Sequence, residues 1–115
     1  MTQAENIAAV ESYLKGLASK DLSSVPFASG ITFEGPLMPK LAGRETIVGF
    51  LRSILPLIKS IEIKQHIADG EYVATVFDME TVNGVDHVVD LCRVVDGELT
   101  EIRAFYYPGQ NPPQA

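Results

Sequence analysis

The stretch 87–95, HVVDLCRVV, carries one acid where an apolar residue belongs. Read as a β-strand, it sets Val88, Asp90, Cys92 and Val94 on one face. His87, Val89, Leu91, Arg93 and Val95 fall on the other. A carboxylate on an apolar face is costly to ionise unless a partner compensates it. Asp90 is then either a structural acid held by a hidden hydrogen bond, or an acid with a raised pKa that donates a proton to a ligand oxygen. Tyr13 is the second candidate. It flanks the apolar stripe of a first helix, so its ring is expected inside, with a hydroxyl that needs a partner. The two side chains are expected to converge on one cavity.

Other reactive residue types carry less. Cys92 sits mid-strand beside valines and reads as a small core residue, not a nucleophile. His66 and His87 stand at no ligand spacing to each other or to a carboxylate cluster, so no metal site is expected. His87 also has the wrong parity to share Asp90's face. Asp78 and Glu80 share a face of the neighbouring strand and read as exposed acids. The chain has no phosphate loop, no Ser–His–Asp arrangement and no dinucleotide fingerprint, and no cofactor is expected.

The elements that must position these residues follow from periodicity. Ile7, Val10, Leu14 and Leu17 recur at helical spacing and predict a helix over Gln3–Ser19. Asp21 is placed to cap a short second helix over 22–26, after which Ser29-Gly30 breaks the chain. Residues 31–34 predict a short strand ending at Gly35-Pro36. The loop 35–43, GPLMPKLAG, is unusually apolar through Leu37, Met38 and Leu41, as expected of a loop over a core or beside a pocket. Ile47, Phe50, Leu51, Ile54 and Leu55 predict a helix over 44–55, ended or kinked by Pro56. Four strands follow, over 60–68, 71–82, 86–95 and 98–107. The turns Asp69-Gly70, Asn83-Gly84 and Asp96-Gly97 join them into an antiparallel meander. In 60–68 the alternation runs through Ile61, Ile63 and Ile67. The tail 109–115 is polar, proline-rich and expected to be flexible. The class is α+β, with helices covering one sheet face. The 86–95 strand is apolar on both faces, so a homodimer through the outer sheet face is the economical cover.

The chain has 115 residues, enough for one domain, and a formal charge of −6. From Asp69 to Glu101 nine acids face one base, Arg93, a field that repels nucleic acid and anionic membrane surfaces. No apolar run approaches the roughly 18 residues of a membrane span. No secretory signal is visible, and the single Cys92 has no intrachain partner, so a cytoplasmic setting is expected.

Three segments, AAVESYLKGLASKDL, TFEGP…LAGRETIVGFL and VVDLCRVVDGELTEIRAFYY, together resemble the nuclear transport factor 2-like superfamily, within it the SnoaL-like and ketosteroid-isomerase-like branch. The likeness covers roughly residues 4–108 and implies a single domain over 1–108. The implied fold is a conical half-barrel of cystatin-like type: helices packed on a curved antiparallel sheet around an apolar pocket open at one end. It also implies homodimers through the sheet. Ketosteroid isomerases hold an enolate oxygen with a first-helix tyrosine and an aspartic acid kept neutral on a late strand. Tyr13 and Asp90 fall at those two positions. The family's general base, an aspartate before a proline, falls at Gly35. Glu34 is the adjacent carboxylate, although one residue along a strand points it to the other face unless Gly35 bends the chain. The strand-end acid of the superfamily's epoxide hydrolases falls at Ala104.

The resemblance implies a small, mostly apolar carbonyl ligand. Tyr13 and Asp90 would polarise its oxygen, Glu34 is the candidate base, and Met38, Phe50 and Tyr106 are candidate pocket walls. Cofactor-independent proton transfer, cyclisation or dehydration is one outcome. The alternative is a non-catalytic ligand-binding or dimerisation module of the same fold.

Overall fold

The structure is a computed structural model and describes residues 2–36 and 38–106. The first helix, α1, spans Gln3–Ser19. Thr2 and Glu5 form a reciprocal capping box at its start, each side chain serving the other's backbone N–H at 3.1 Å. At its end Lys20 turns left-handed, and its ammonium donates to the carbonyls of Leu55 and Ile58 at 2.6 Å. Gly16 lets the following segment lie directly on the helix: a Cβ there would meet Val25 Cγ2 at 2.8 Å and the Asp21 carbonyl at 2.9 Å.

The sheet has six strands: β1 (Phe27–Glu34), β2 (Leu41–Ala42), β3 (Ile58–Asp69), β4 (Tyr72–Thr81), β5 (Gly84–Val95) and β6 (Glu98–Phe105). Helix α2, Arg44–Ile54, follows β2, and a single 3-10 turn, Leu55–Leu57, leads into β3. Pro56 ends α2, as a residue without an N–H must. The spatial order is β2-β1-β6-β5-β4-β3. β3 to β6 form the expected antiparallel meander. In its last hairpin Asp96 and Gly97 both take positive φ, 52° and 79°, the twist a two-residue turn requires. The sheet is curved and unclosed, with α1 and α2 packed on its inner face. The core lies between them, built from Val10, Leu14, Ile47 and Leu51 on the helices and Ile31, Val73, Leu99 and Ile102 on the strands.

Three expectations are corrected. Residues 22–26 are not a helix. Asp21 Oδ1 instead accepts from the Ser23 backbone at 3.0 Å and its hydroxyl at 2.6 Å, a local turn that outcompetes a helix too short to nucleate. Ser29-Gly30 does not break the chain but lies inside β1, where the register shifts between Phe27 and Thr32. The sheet is mixed and larger than four strands: β1 joins the free edge of β6 in parallel, and β2 extends it. Edge pairing across so long a connection leaves no local turn signal to read. The tail 109–115 and Leu37 lie outside the described residues.

A fourth correction bears on the site. Strict alternation put Ile61, Ile63 and Ile67 on one face. The β3–β4 register shifts between Ile63 and Gln65, a bulge that reverses parity. Ile67 is thereby turned to solvent, 57 % exposed, and His66 is turned into the core side of the sheet.

Candidate functional site

Asp90 lies on the inner face of β5 between Val88 and Cys92 and is 3 % exposed. Thr75 of β4 stands opposite it on one side and Ala104 of β6 on the other. Burial pushes its carboxyl up to about 7, because the anion would lose its water without a compensating cation. Among the described residues no hydrogen bond or ion pair reaches the carboxylate. Tyr13 is buried on α1, its ring edge-on to Phe27 with centroids 6.1 Å apart. Burial pushes its phenol well up, and the charges of Asp90 and Cys92 push it further. Tyr13 and Asp90 therefore lie in each other's electrostatic field, although no direct hydrogen bond joins them. Cys92 is fully buried, and burial followed by Asp90 pushes its thiol well up, which leaves it inert as a nucleophile.

Tyr106 extends this group. Burial first, then Asp86 and Asp90, raise its phenol. Asp86 sits two residues before Val88 on the same inner row. Burial raises its carboxyl while His87 works in the opposite direction. His87 itself is on the outer face, its Nδ1 2.7 Å from Asp78 Oδ1, so it takes no part beside Asp90.

At the open end of the sheet is a cavity of about 750 Å³, mostly apolar and lined by Glu34, Gly35, Pro36, Arg103, Ala104 and Tyr106, with His87 and Phe105. Tyr13 and Asp90 are not on its wall. Two wall residues border on Asp90: Ala104 is its cross-strand neighbour, and Tyr106 feels its charge. Met38 and Phe50 are half-buried and pack on the core. Phe50 stacks on Phe33 at 5.5 Å. Met38 covers Gly35: a Cβ at Gly35 would meet Met38 Sδ at 3.2 Å and Ala104 Cβ at 3.9 Å. A side chain at position 35 would thus point toward Ala104 and Asp90, but glycine supplies none. Glu34, one residue earlier, is exposed and sits 3.8 Å from Lys40, on the face opposite Phe33. Among the described residues no group of acids, histidines and cysteine could hold a metal ion.

Sequence reasoning missed His66. Its Nδ1 lies 2.8 Å from Thr75 Oγ1 and its Nε2 lies 2.9 Å from Glu11 Oε2. Thr75 is fully buried. The spacing Ile63 to His66 is odd, so only the bulge brings His66 inward, and a bulge has no unique sequence mark.

The family described as "Domain of unknown function (DUF4904)" matches residues 1–108. No curated protein matches the chain. Solved structures do. An epoxide hydrolase of the LEH-like type from M. tuberculosis is 22% identical, with a TM-score of 0.81, covering 95% of this chain and 87% of that one. A steroid delta-isomerase from Pseudomonas aeruginosa is 20% identical, TM-score 0.76, covering 94% and 83%. An NTF2-like protein of unknown function from Cytophaga hutchinsonii is 17% identical, TM-score 0.78, covering 90% of each. At these identities the likeness establishes the fold, a nuclear transport factor 2-like cone of α+β type.

Proposed function

The chain belongs to the family described as a domain of unknown function (DUF4904), and we propose from its own geometry that it is a pocket protein for a small, mostly apolar molecule bearing an oxygen that accepts a hydrogen bond. Asp90, held neutral, and Tyr13 are the donors, and Tyr106 and Ala104 lead from the cavity toward them. The observation that carries this reading is the Asp90 carboxyl itself, a buried acid without an ion pair among the described residues, raised to about 7. Fold stability alone is better served by an apolar side chain there. Met38 and Phe50 pack on the core beside the cavity.

Base-catalysed isomerisation is the second reading. It is favoured by the Tyr13–Asp90 neighbourhood and opposed by Gly35, which offers no carboxylate, and by Glu34, which lines the cavity but is exposed and paired with Lys40. Binding without proton abstraction therefore fits the residues better. The unit is residues 1–108, and a cytoplasmic setting suits its one unpaired cysteine. Among the described residues no helix is long and apolar enough to cross a membrane.

Two copies pair through the outer sheet face in this reading. There Val76, Val89 and Phe105 align across three strands, beside Ala74 and Leu91. Phe105 is 53 % exposed. A monomeric mass by light scattering at micromolar concentration would refute the pairing.

The binding test is a fluorescence titration with a phenolic steroid analogue. Asp90→Leu and Tyr13→Phe, which each remove a donor, should each weaken binding by about tenfold, the worth of one buried hydrogen bond of about 1.4 kcal/mol. Affinity unchanged in both variants overturns the assignment.

A further inference from the structure

We propose that Glu11, His66 and Thr75 form a proton path that reloads Asp90 from the helix side of the fold, separate from the ligand cavity. Two of its three links are contacts already formed. Glu11 Oε2 meets His66 Nε2 at 2.9 Å, and His66 Nδ1 meets Thr75 Oγ1 at 2.8 Å. Thr75 is the residue directly opposite Asp90 in the β4–β5 ladder. Directly opposed residues on one face have Cβ atoms about 4.5–5.5 Å apart, so the last transfer needs one side-chain rotation or one water.

The outer end opens where water is available. Glu11 lines a polar groove of about 350 Å³ along α1, with Ser12, Lys15, Ser19, Asp21 and Ser24. This groove shares no residue with the cavity at the open end of the sheet. A ligand that fills the cavity blocks solvent on that side, and an acid sealed behind it can recover a lost proton only by another route. The His66 ring has one nitrogen on Glu11 and the other on Thr75, so it can take a proton on one side and release one on the other. The bulge in β3 is what turns it inward.

The transfer balances without any further reagent. His66 starts neutral with its proton on Nδ1, donated to Thr75 Oγ1. A proton arriving at Glu11 passes to the lone pair of Nε2. The Nδ1 proton moves to Thr75 Oγ1, and the hydroxyl's own proton moves to the Asp90 carboxylate. His66 ends neutral with its proton on Nε2, donated to the Glu11 carboxylate, and its Nδ1 accepts from Thr75. Run in reverse, the same steps return the proton from Asp90 to Glu11 and restore the ring, so the path equilibrates Asp90 with the groove. The other titratable groups facing Asp90 are Tyr13 from α1, Asp86 and Cys92 on its own strand, and Tyr106 after β6. None of these is in contact with His66. The roles of Glu11, His66 and Thr75 are positioning roles, exercised through Asp90.

This deepens the reading of Asp90 as the pocket's hydrogen-bond donor, a role it fills only while protonated, yet its test uses no ligand, so the two can fail separately. The chain has two histidines, and His87→Gln leaves His66 as the only imidazole in the proton NMR spectrum. In that background the His66 ring resonance should show two inflections with pH, one of them tracking Asp90 near 7. Asp90→Asn should remove that inflection. Thr75→Val and Thr75→Ala should remove it as well, and Thr75→Ser, which keeps the hydroxyl, should retain it. A single inflection in the parent overturns the path, as does a second inflection that survives Asp90→Asn. Survival in either folded Thr75 variant shows coupling through space alone and also overturns it.

Discussion

Replacing Asp90 by asparagine should stabilise the protein, by an amount that grows with pH. In the folded chain the carboxyl is raised from 3.8 to about 7 by burial. The folded state therefore holds a proton that the unfolded state has already released, throughout the window between those values. Stability rises with pH where the unfolded state binds more protons, and here the folded state binds more, so stability falls. The fall begins near pH 4, follows the gap of about three units, and levels off above about 7. At about 1.4 kcal/mol per unit the total is roughly 4 kcal/mol, a large part of the roughly 5–15 kcal/mol that holds a domain together. Asparagine keeps the shape and cannot ionise. The assay is urea unfolding of both proteins at a series of pH values, taken as a difference so that the other acids cancel. The difference should be small below about pH 4 and approach about 4 kcal/mol by about pH 8. A difference that stays within about 1 kcal/mol across the series would refute the claim that Asp90 is buried uncompensated.

Three further variants test the scaffold and the missing base. Gly16→Ala should cost about 1–3 kcal/mol in spite of better helix propensity, because its Cβ meets the Asp21 carbonyl at 2.9 Å and backbone cannot yield cheaply; denaturant midpoints decide it, and a stabilised variant is the contrary result. Lys20→Ala removes both 2.6 Å bonds to the Leu55 and Ile58 carbonyls and should cost about 1 kcal/mol after allowance for solvent at the surface, read as a lower thermal midpoint. Gly35→Asp combined with Met38→Ala places a carboxylate beside Ala104 with room to stand. It should accelerate hydrogen–deuterium exchange at the α-carbon of a bound ketone, followed by NMR, and exchange no faster than in the parent would show that position 35 does not face the ligand.

Much of the scaffold was legible because its signals are local. The stripe Val10, Leu14, Leu17 gave α1 at its observed bounds. The three glycine turns gave the meander, and the alternation of 87–95 gave Asp90's face. What stayed hidden is non-local. The parallel pairing of β1 with β6 has no turn to announce it. The β3 bulge breaks the two-residue period at one point, which put Ile67 inside on paper and left His66 out of account. Tyr13 and Asp90 were expected to converge on one cavity, and neither is on the wall of the cavity at the open end. Their setting behind the cavity wall depends on how Met38, Ala104 and Tyr106 fill the open end, which only packing decides.

The pairing of β1 with β6 also sets a timetable for the nascent chain. Phe27 lies beside Leu99, and Phe33 beside Ile102, so β1 has no partner on its β6 side until the last strand is made. That strand leaves the ribosome about 70 residues later, a wait of roughly 4–14 s at ordinary synthesis rates. Through that interval Phe27, Ile31 and Phe33 lack their β6 cover; the two-residue strand Leu41–Ala42 is the one sheet neighbour already made, beside the cover that α1 and α2 give through Tyr13 and Phe50. Chains arrested before Glu98 should therefore depend on holdase chaperones far more than finished ones.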